Sequence, residues 1–459
     1  MTTDLVVVLP GITGSTLRIK DDLIWSPTPG ALLKAIKTFG GSVNALRLPE
    51  GIGDDHPGDG VEPVDLMTDR HLIPGIWTPV KGYDLLLDRL RSLGYQESTP
   101  NTPGNLLPVP YDWRLSNRYN ARRLKTIVEP ALERWRAHHP SNSTARLTFV
   151  CHSMGGLIAR WYIEKCGGAE LTHKLITLGT PYRGAAKALD QLVNGAHQRL
   201  GPLSFDLTAF ARTLPSLHQL LPEYACIEDP KTGVLATTTE LGATVPELNR
   251  RLTLDAMRFH TDLRTAESAR PASLTATHAI VGTQQNTPTT ARIRNNSLTL
   301  LPDYTDKTLY GDGTVPLVAA CRADVPMDSN TLRRVPDQHG NLQRNPAALD
   351  ELEGILTASD VVVRAPRETQ LRLDVPELIT AGEDLPVRLT SAKGSRNAVL
   401  LTVTHESGKP EETRVVLAGP EPVEALFDGL PPGAYTVDAT GTRPGSPIAA
   451  VSADILVWD

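Results

Sequence analysis

The stretch Leu147-Thr148-Phe149-Val150-Cys151-His152-Ser153-Met154-Gly155-Gly156-Leu157-Ile158-Ala159-Arg160-Trp161-Tyr162 constrains this chain more than any other. It reads as an apolar strand, a tight turn carrying one serine, and a helix that opens on small residues. A serine on such a turn has its hydroxyl pushed out of the sheet, facing the first amides of the following helix. That is the position of a nucleophile. The usual spacing is Gly-x-Ser-x-Gly, and here Cys151 stands in the place of the first glycine, so the signal rests on Gly155, Gly156 and the elements on either side. The competing reading is an ordinary strand–turn–helix connection with an incidental serine.

A second apolar run, Leu5-Val6-Val7-Val8-Leu9, has the texture of a strand buried on both faces and leads into Pro10-Gly11-Ile12-Thr13-Gly14-Ser15. A glycine-rich turn after a central strand can present bare backbone N–H groups to a developing oxyanion. A phosphate cradle is the weaker reading, because Gly-x-x-x-x-Gly-Lys-Ser/Thr is absent. Strand and helix then alternate: a helix over Tyr83–Leu93, a strand near Leu106–Val109, a long amphipathic helix over Ala121–His138, the serine unit, and a strand over Lys174–Leu178. This order predicts an α/β body, residues 1–364, with a mostly parallel central sheet covered on both faces.

Two stretches interrupt the alternation. Residues 21–79 are rich in Gly, Pro and Asp and read as an insertion, with a short helix expected at Ala31–Thr38 and an apolar patch at Leu72–Val80. Such a segment suits a lid or substrate wall, and a peripheral membrane contact around Trp77 stays open. Residues 185–274 read as a helical cap, with pieces at Ala186–Val193, Leu207–Leu221 and Val245–Leu263; Gly282–Ile293 reads as a polar loop. From 365 to 459 the pattern changes to seven short alternating strands, which predicts a small all-β, immunoglobulin-like sandwich with Tyr435 near a corner. Its expected role is an accessory module, open to a protein partner.

Composition narrows the function classes. With Lys+Arg at 46, Asp+Glu at 52 and a formal net charge of -6, the chain carries no basic excess for nucleic acid. Cys151, Cys166, Cys226 and Cys321 show no Cys-x-x-Cys spacing, so reduced thiols are expected, with neither a metal nor another cofactor. The Leu5–Leu9 run is too short for a signal segment and no run of about 18 apolar residues occurs, which sets the expectation of a cytoplasmic protein. A leaderless export route is the alternative.

A serine hydroxyl needs a histidine to take its proton and a carboxylate to orient that histidine. Ser153, then Asp312 in Gly311-Asp312-Gly313, then His339 after Pro336-Asp337-Gln338 follow the Ser…Asp…His order of α/β-hydrolases. Asp303 and Asp306 are rivals for the acid, and His260 and His278 for the histidine. The blocks Leu9–Ser15, Pro110-Tyr111-Asp112-Trp113-Arg114, His152–Gly156, Leu178-Gly179-Thr180-Pro181 and Gly311–Pro316 together resemble the lecithin:cholesterol acyltransferase and lysosomal phospholipase A2 family, over roughly residues 5 to 356. The resemblance implies Ser153, Asp312 and His339 as a catalytic triad and the backbone N–H groups of Ile12 and Met154 as an oxyanion hole. It also implies an acyl-ester substrate, a phospholipid or another lipid among the candidates, and hydrolysis or O-acyl transfer as the reaction. The other class of function is a hydrolase-fold binding or scaffold protein without chemistry, working through the sandwich.

Overall fold

The computed structural model describes residues 3–25, 46–68, 82–99, 101–200, 203–241, 245, 247–271, 275–294, 297–305, 307–357, 369–391, 396–443, 446 and 448–458. Six strands form its central sheet: β1 (Leu5–Leu9), β2 (Leu106–Pro108), β3 (Leu147–His152), β4 (Thr172–Leu178), β5 (Ala276–Gly282) and β6 (Leu332–Val335). Their order is β6-β5-β4-β3-β1-β2, and every pairing is parallel. The continuous apolar run of β1 follows from this arrangement. Side chains alternate across a strand, so Val7 and Leu9 enter one hydrophobic cluster while Val6 and Val8 enter another on the opposite face.

Helices cover both faces. They are α1 (Asp84–Ser92), α2 (Asn117–His138), α3 (Gly155–Lys165), α4 (Ala186–Val193), α5 (Arg250–Ala269) and α6 (Pro346–Thr357). Leu86 and Leu90 of α1 pack with Leu349 and Leu352 of α6 against Val6, Val8 and Val150. Leu124 and Val128 of α2 and Leu157 and Ile158 of α3 cover the other face. Helix α2 starts four residues before the expected Ala121 because Ser116 caps it, its hydroxyl accepting the Tyr119 N–H at 3.1 Å. Likewise α5 runs later than Val245–Leu263, set by an Asn249 cap that accepts the Leu252 N–H at 3.1 Å. Phe259 of α5 stacks on Trp161 of α3 at 5.1 Å between centroids, with the Arg118 guanidinium over both rings.

Two further expectations are corrected. The helix over Leu207–Leu221 is two short pieces, Thr208–Ala211 and Pro215–His218, because Leu214 precedes a proline and takes an extended ψ of 110°. The Gly282–Ile293 loop contains the start of a strand, Thr290–Arg294, paired antiparallel with Ser297–Leu301. Ser15–Ile19, just ahead of the first insertion, pairs with Asp22–Trp25 and Val61–Leu66 of the insertion in a three-stranded sheet. The helix expected at Ala31–Thr38, most of the patch over Leu72–Val80 and the contact around Trp77 lie outside the described residues.

The C-terminal region is a two-sheet sandwich of eight described strands: β7 (Leu371–Asp374), β8 (Leu378–Thr380), β9 (Leu385–Ser391), β10 (Asn397–His405), β11 (Pro410–Ala418), β12 (Val423–Phe427), β13 (Gly433–Gly441) and β14 (Val451–Trp458). The sheets are β7-β9-β12 and β8-β14-β13-β10-β11. The strand missing from the expected seven is β8, whose three residues are too few to display alternation and which pairs parallel to β14. Val387, Leu401, Val437 and Ile455 fill the space between the sheets, and Tyr435 closes the corner by donating its hydroxyl to the Pro431 carbonyl at 2.7 Å. Among the described residues, no helix is long and apolar enough to cross a membrane.

The Pro110-Tyr111-Asp112-Trp113-Arg114 block joins the sheet, the first insertion and the cap. Arg114 is fully buried and forked onto Asp112, with Nη2 at 2.7 Å from Oδ2, while Nη1 reaches Asp59 at 2.9 Å and the Leu46 carbonyl at 3.1 Å. Trp113 packs edge-on against Trp25 and Phe210. Ser216 of the cap donates to the Arg114 carbonyl at 3.1 Å, and Tyr111 donates its hydroxyl to the Pro10 carbonyl at 2.9 Å. Removing Asp112 strips the buried guanidinium of its forked partner and leaves Nε and Nη2 unpaired, with only Asp59 to balance the charge, so Asp112→Ala is expected to cost about 1–3 kcal/mol of unfolding free energy. Denaturant unfolding checks this, and a loss below about 1 kcal/mol would show the block to be a bystander.

Candidate active site

The site forms where the parallel strands end, the edge at which open α/β sheets present their ligand sites. β1 runs into Pro10–Gly14, β3 into Ser153, β4 into Gly179 and β6 into the loop that carries His339. Ser153 adopts φ +50°, a left-handed conformation that non-glycine residues rarely take. Its N–H donates to the Leu178 carbonyl at 2.9 Å, and its own carbonyl accepts the Thr180 hydroxyl at 2.8 Å. The turn is therefore clamped to the neighbouring strand. At Gly155 a Cβ would run into the Pro10 carbonyl oxygen, so the helix start requires glycine to lie this close to β1. Cys151 is fully buried and belongs to the same cluster as Leu157 and Ile158, which is why a small side chain serves there.

The structure brings Ser153, His339 and Asp312 into one hydrogen-bonded chain. Ser153 Oγ lies 2.8 Å from His339 Nε2, and His339 Nδ1 lies 2.8 Å from Asp312 Oδ2. The other carboxylate oxygen of Asp312 accepts the Thr314 and Val315 N–H groups at 2.9 and 2.6 Å, and the Asp312 carbonyl accepts the His339 N–H at 2.8 Å. With the carboxylate held this way, Nδ1 of His339 carries its proton and Nε2 is left to accept from the serine. Gly179, at φ +60°, lies beneath the pair: a Cβ there would come within 3.1 Å of both Asp312 Oδ2 and His339 Nδ1.

The rivals fall elsewhere. Asp303 accepts the Thr308 hydroxyl in an exposed hairpin, and Asp306 is outside the described residues. His260 is buried on α5 and His278 lies on β5; burial pushes their imidazoles down to about 3 and about 4. The Ile12 and Met154 backbone N–H groups have no acceptor among the described residues. The Pro10–Thr13 loop lies against the serine, since a Cβ on Gly11 would sit 3.0 Å from Ser153 Cβ. Among the described residues, no group of three or more His, Cys, Asp or Glu side chains is placed to hold a metal ion, and all four cysteines are free thiols.

Three residues outside the expected set shape the site. Gly11 N–H donates to the Tyr83 hydroxyl at 2.7 Å, and that hydroxyl lies 2.9 Å from His152 Nδ1. His152 Nε2 lies 3.0 Å from the His339 carbonyl, which can only accept, so Nε2 carries the proton and donates while Nδ1 accepts the hydrogen bond of the Tyr83 hydroxyl. Burial lowers the His152 imidazole to about 3 and raises the Tyr83 phenol, so the relay stays neutral. It ties the glycine turn after β1 to the backbone of His339. Tyr83 precedes α1 with no local signal of this role, which arises from side chains 69 residues apart. The third is Asp337, buried two residues before His339, whose Oδ1 accepts the N–H groups of Gln338 and Ser452 at 2.7 and 3.2 Å and whose Oδ2 accepts Asn345 Nδ2 at 2.7 Å.

Two expected outcomes follow from these contacts. Tyr83→Phe leaves the buried Gly11 N–H and His152 Nδ1 without partners, for a loss of about 1–3 kcal/mol in denaturant unfolding; an unchanged midpoint would mean the relay is not formed. Burial raises the Asp337 carboxyl to about 7. Between about pH 4, where an unfolded aspartate ionises, and pH 7, the folded protein therefore holds a proton that the unfolded chain has lost. Stability falls as pH rises through that window and levels off above it. The difference in Tm between wild type and Asp337→Asn should move against wild type from pH 4 to pH 7, and a flat difference would show that Asp337 ionises normally.

Comparison with known proteins places the chain in a family. The family model described as lecithin:cholesterol acyltransferase matches residues 59–310. No curated protein matches the chain. Among solved structures, the Bacillus licheniformis lipase BlEst2 in its propeptide form is similar at 10% identity, covering 100% of this chain and 95% of that one, with a TM-score of 0.35. Its mature form gives 11% identity over 77% of this chain and 92% of that one, with a TM-score of 0.33. A CARDB domain from Pyrococcus furiosus gives 13% identity over 21% of this chain and 98% of that one, with a TM-score of 0.16. At those TM-scores the structural likenesses carry no part of the assignment. The match to the family model spans more than half of the chain and takes in the Tyr111–Arg114 block, the Ser153 turn and the Gly179–Pro181 turn, and the chain accordingly belongs to the lecithin:cholesterol acyltransferase family.

Proposed function

We propose that the protein is a serine-dependent acyl-ester hydrolase or O-acyltransferase, acting on lipid or other carboxylic esters through an acyl-serine intermediate. The observation that carries this reading is the chain Ser153 Oγ, His339 Nε2, His339 Nδ1, Asp312 Oδ2, with 2.8 Å at each hydrogen bond. Ser153 Oγ attacks the ester carbonyl carbon while its proton passes to His339 Nε2. The carbonyl oxygen becomes an oxyanion, which the Ile12 and Met154 N–H groups stabilise. The tetrahedral adduct collapses, the bond to the alcohol oxygen breaks, and His339 delivers its proton to that oxygen. Water or a second alcohol, deprotonated by His339, then attacks the acyl-serine carbonyl and restores the hydroxyl. Asp312 stabilises the imidazolium that forms in each half-reaction and stays ionised throughout.

Burial supports the same reading. Ser153, His339 and Asp312 are 5%, 3% and 2% exposed, an environment in which charge stabilisation by fixed donors counts for more than in water. The experiment pairs fluorophosphonate labelling with hydrolysis of p-nitrophenyl esters of several chain lengths. Wild type should take the label and Ser153→Ala should not, and His339→Ala or Asp312→Asn should each lower kcat by about 10³–10⁴-fold. A wild-type protein that neither labels nor turns over any ester would fit a non-catalytic scaffold instead. Mass-spectrometric product detection with added alcohols separates hydrolysis from transfer.

A further inference from the structure

The loops that carry Asp312 and His339 are held from outside the hydrolase body by the C-terminal sandwich. Gln285 Oε1 accepts the Leu373 N–H at 3.2 Å, and Gln338 Nε2 donates to the Leu373 carbonyl at 3.2 Å. Asn341 Nδ2 donates to the Ser452 carbonyl at 2.7 Å, and Ser452 N–H returns a bond to Asp337. Lys187 of α4 pairs with Glu377 at 3.5 Å. Between the two parts lies a cavity of about 120 Å³ whose walls include Asp312, His339 and Gln338 on one side and Leu373 and Asp374 on the other. An appended module with its own task has no need to end beside the acid and the histidine.

Arg372 on β7 makes the contact with the most consequence. Its Nε donates to the Gln284 carbonyl at 2.9 Å, and its guanidinium lies 3.9 Å above the centre of the Tyr310 ring. Gln284 and Tyr310 both hold left-handed conformations, with φ of 68° and 51°. Non-glycine residues stay there only where their surroundings over-determine them. The residues after them, Gln285 and Gly311, exchange backbone hydrogen bonds at 2.9 and 3.1 Å, and Gly311 is bonded directly to Asp312. Arg372 thus grips both strained residues of the bridge that carries the acid. A planar guanidinium can stack on the ring and donate from Nε at once, which a lysine ammonium cannot.

We propose that Arg372 is a positioning residue: from the sandwich it fixes the Gln284–Tyr310 bridge and so sets Asp312 behind His339. This rests on the acyl-ester reading of the Ser153 site. The sandwich is then part of the catalytic apparatus, acting through the bridge rather than touching the ester.

The test measures kcat, KM and the rate of fluorophosphonate labelling in full-length wild type, Arg372→Ala, Arg372→Lys and Tyr310→Leu. Arg388→Ala is the control, since that residue pairs with exposed Glu424 on the sandwich. Misplacing the acid by a fraction of an ångström should lower kcat and the labelling rate of Arg372→Ala together, by about 10–100-fold, with KM within about twofold. Arg372→Lys should recover only part of the loss, and Tyr310→Leu combined with Arg372→Ala should be no worse than the poorer single variant. Arg388→Ala should match wild type. If Arg372→Ala does not fold cooperatively, Arg372→Lys and Tyr310→Leu decide the matter by the same two rates. Folded variants whose kcat and labelling rate stay within about twofold of wild type would overturn the clamp, as would a loss confined to KM or to Tm. A wild type that takes no label would sink the acyl-ester reading itself, whereas a labelled wild type with unaffected variants would sink only the role of Arg372.

Discussion

The strained turn at Ser153 is the constraint around which the rest is arranged. A non-glycine residue at φ +50° costs on the order of 1 kcal/mol or more, and nothing local repays it. The surroundings hold it instead: Leu178 takes the serine's N–H, Thr180 donates to its carbonyl, and the absence of a side chain at Gly155 lets α3 close against the Pro10 carbonyl. Those contacts come from β4, the loop after it, and the end of β1. The turn can form only once three parallel strands are in register.

The same logic extends to the partners of the serine. His339 is held at its N–H by the Asp312 carbonyl, at its Nδ1 by the Asp312 carboxylate, and at its own carbonyl by His152. Through Tyr83, His152 connects onward to Gly11. Every polar group in this chain is buried and each has a partner, which is the condition under which a polar network rigidifies a site instead of weakening it. The Arg114 fork plays the corresponding part for the walls, tying the first insertion and the cap to the sheet, while Tyr111 fixes Pro10.

Much of the fold was readable in the sequence because the central sheet is covered on both faces. Burial on two sides makes Leu5–Leu9 an unbroken apolar run and leaves Leu147–Val150 and Lys174–Leu178 mostly apolar, interrupted only by Thr148, Lys174 and Thr177. The alternation of the sandwich strands was equally plain, except at Leu378–Thr380, where three residues show no period. Errors gathered where tertiary pairing outweighs local pattern. The polar hairpin strand Thr290–Arg294 is stabilised by partners and not by composition, and the helical pattern over Leu207–Leu221 is interrupted at Pro215, which holds Leu214 extended. In the site, the Ser, Asp and His were legible from chain order and glycine-flanked turns. Tyr83, Asp337 and Arg372 were not, since each acts on a group far away in sequence.

The sequence by itself therefore determined the parallel α/β body, the serine at its turn, the order of the acid and the histidine, and a β-sandwich behind them. These follow from short-range chemistry: side-chain periodicity, glycine at close approaches, and residue types suited to proton transfer. Only the tertiary structure decided that the serine's Oγ meets His339 and not His260 or His278, that the Tyr111–Arg114 block is a buried hub, and that the sandwich abuts the Asp312 and His339 loops. Hydrogen bonds of 2.8 Å between residues 186 and 27 positions apart depend on how strands and loops pack, and that packing leaves no local mark on the chain.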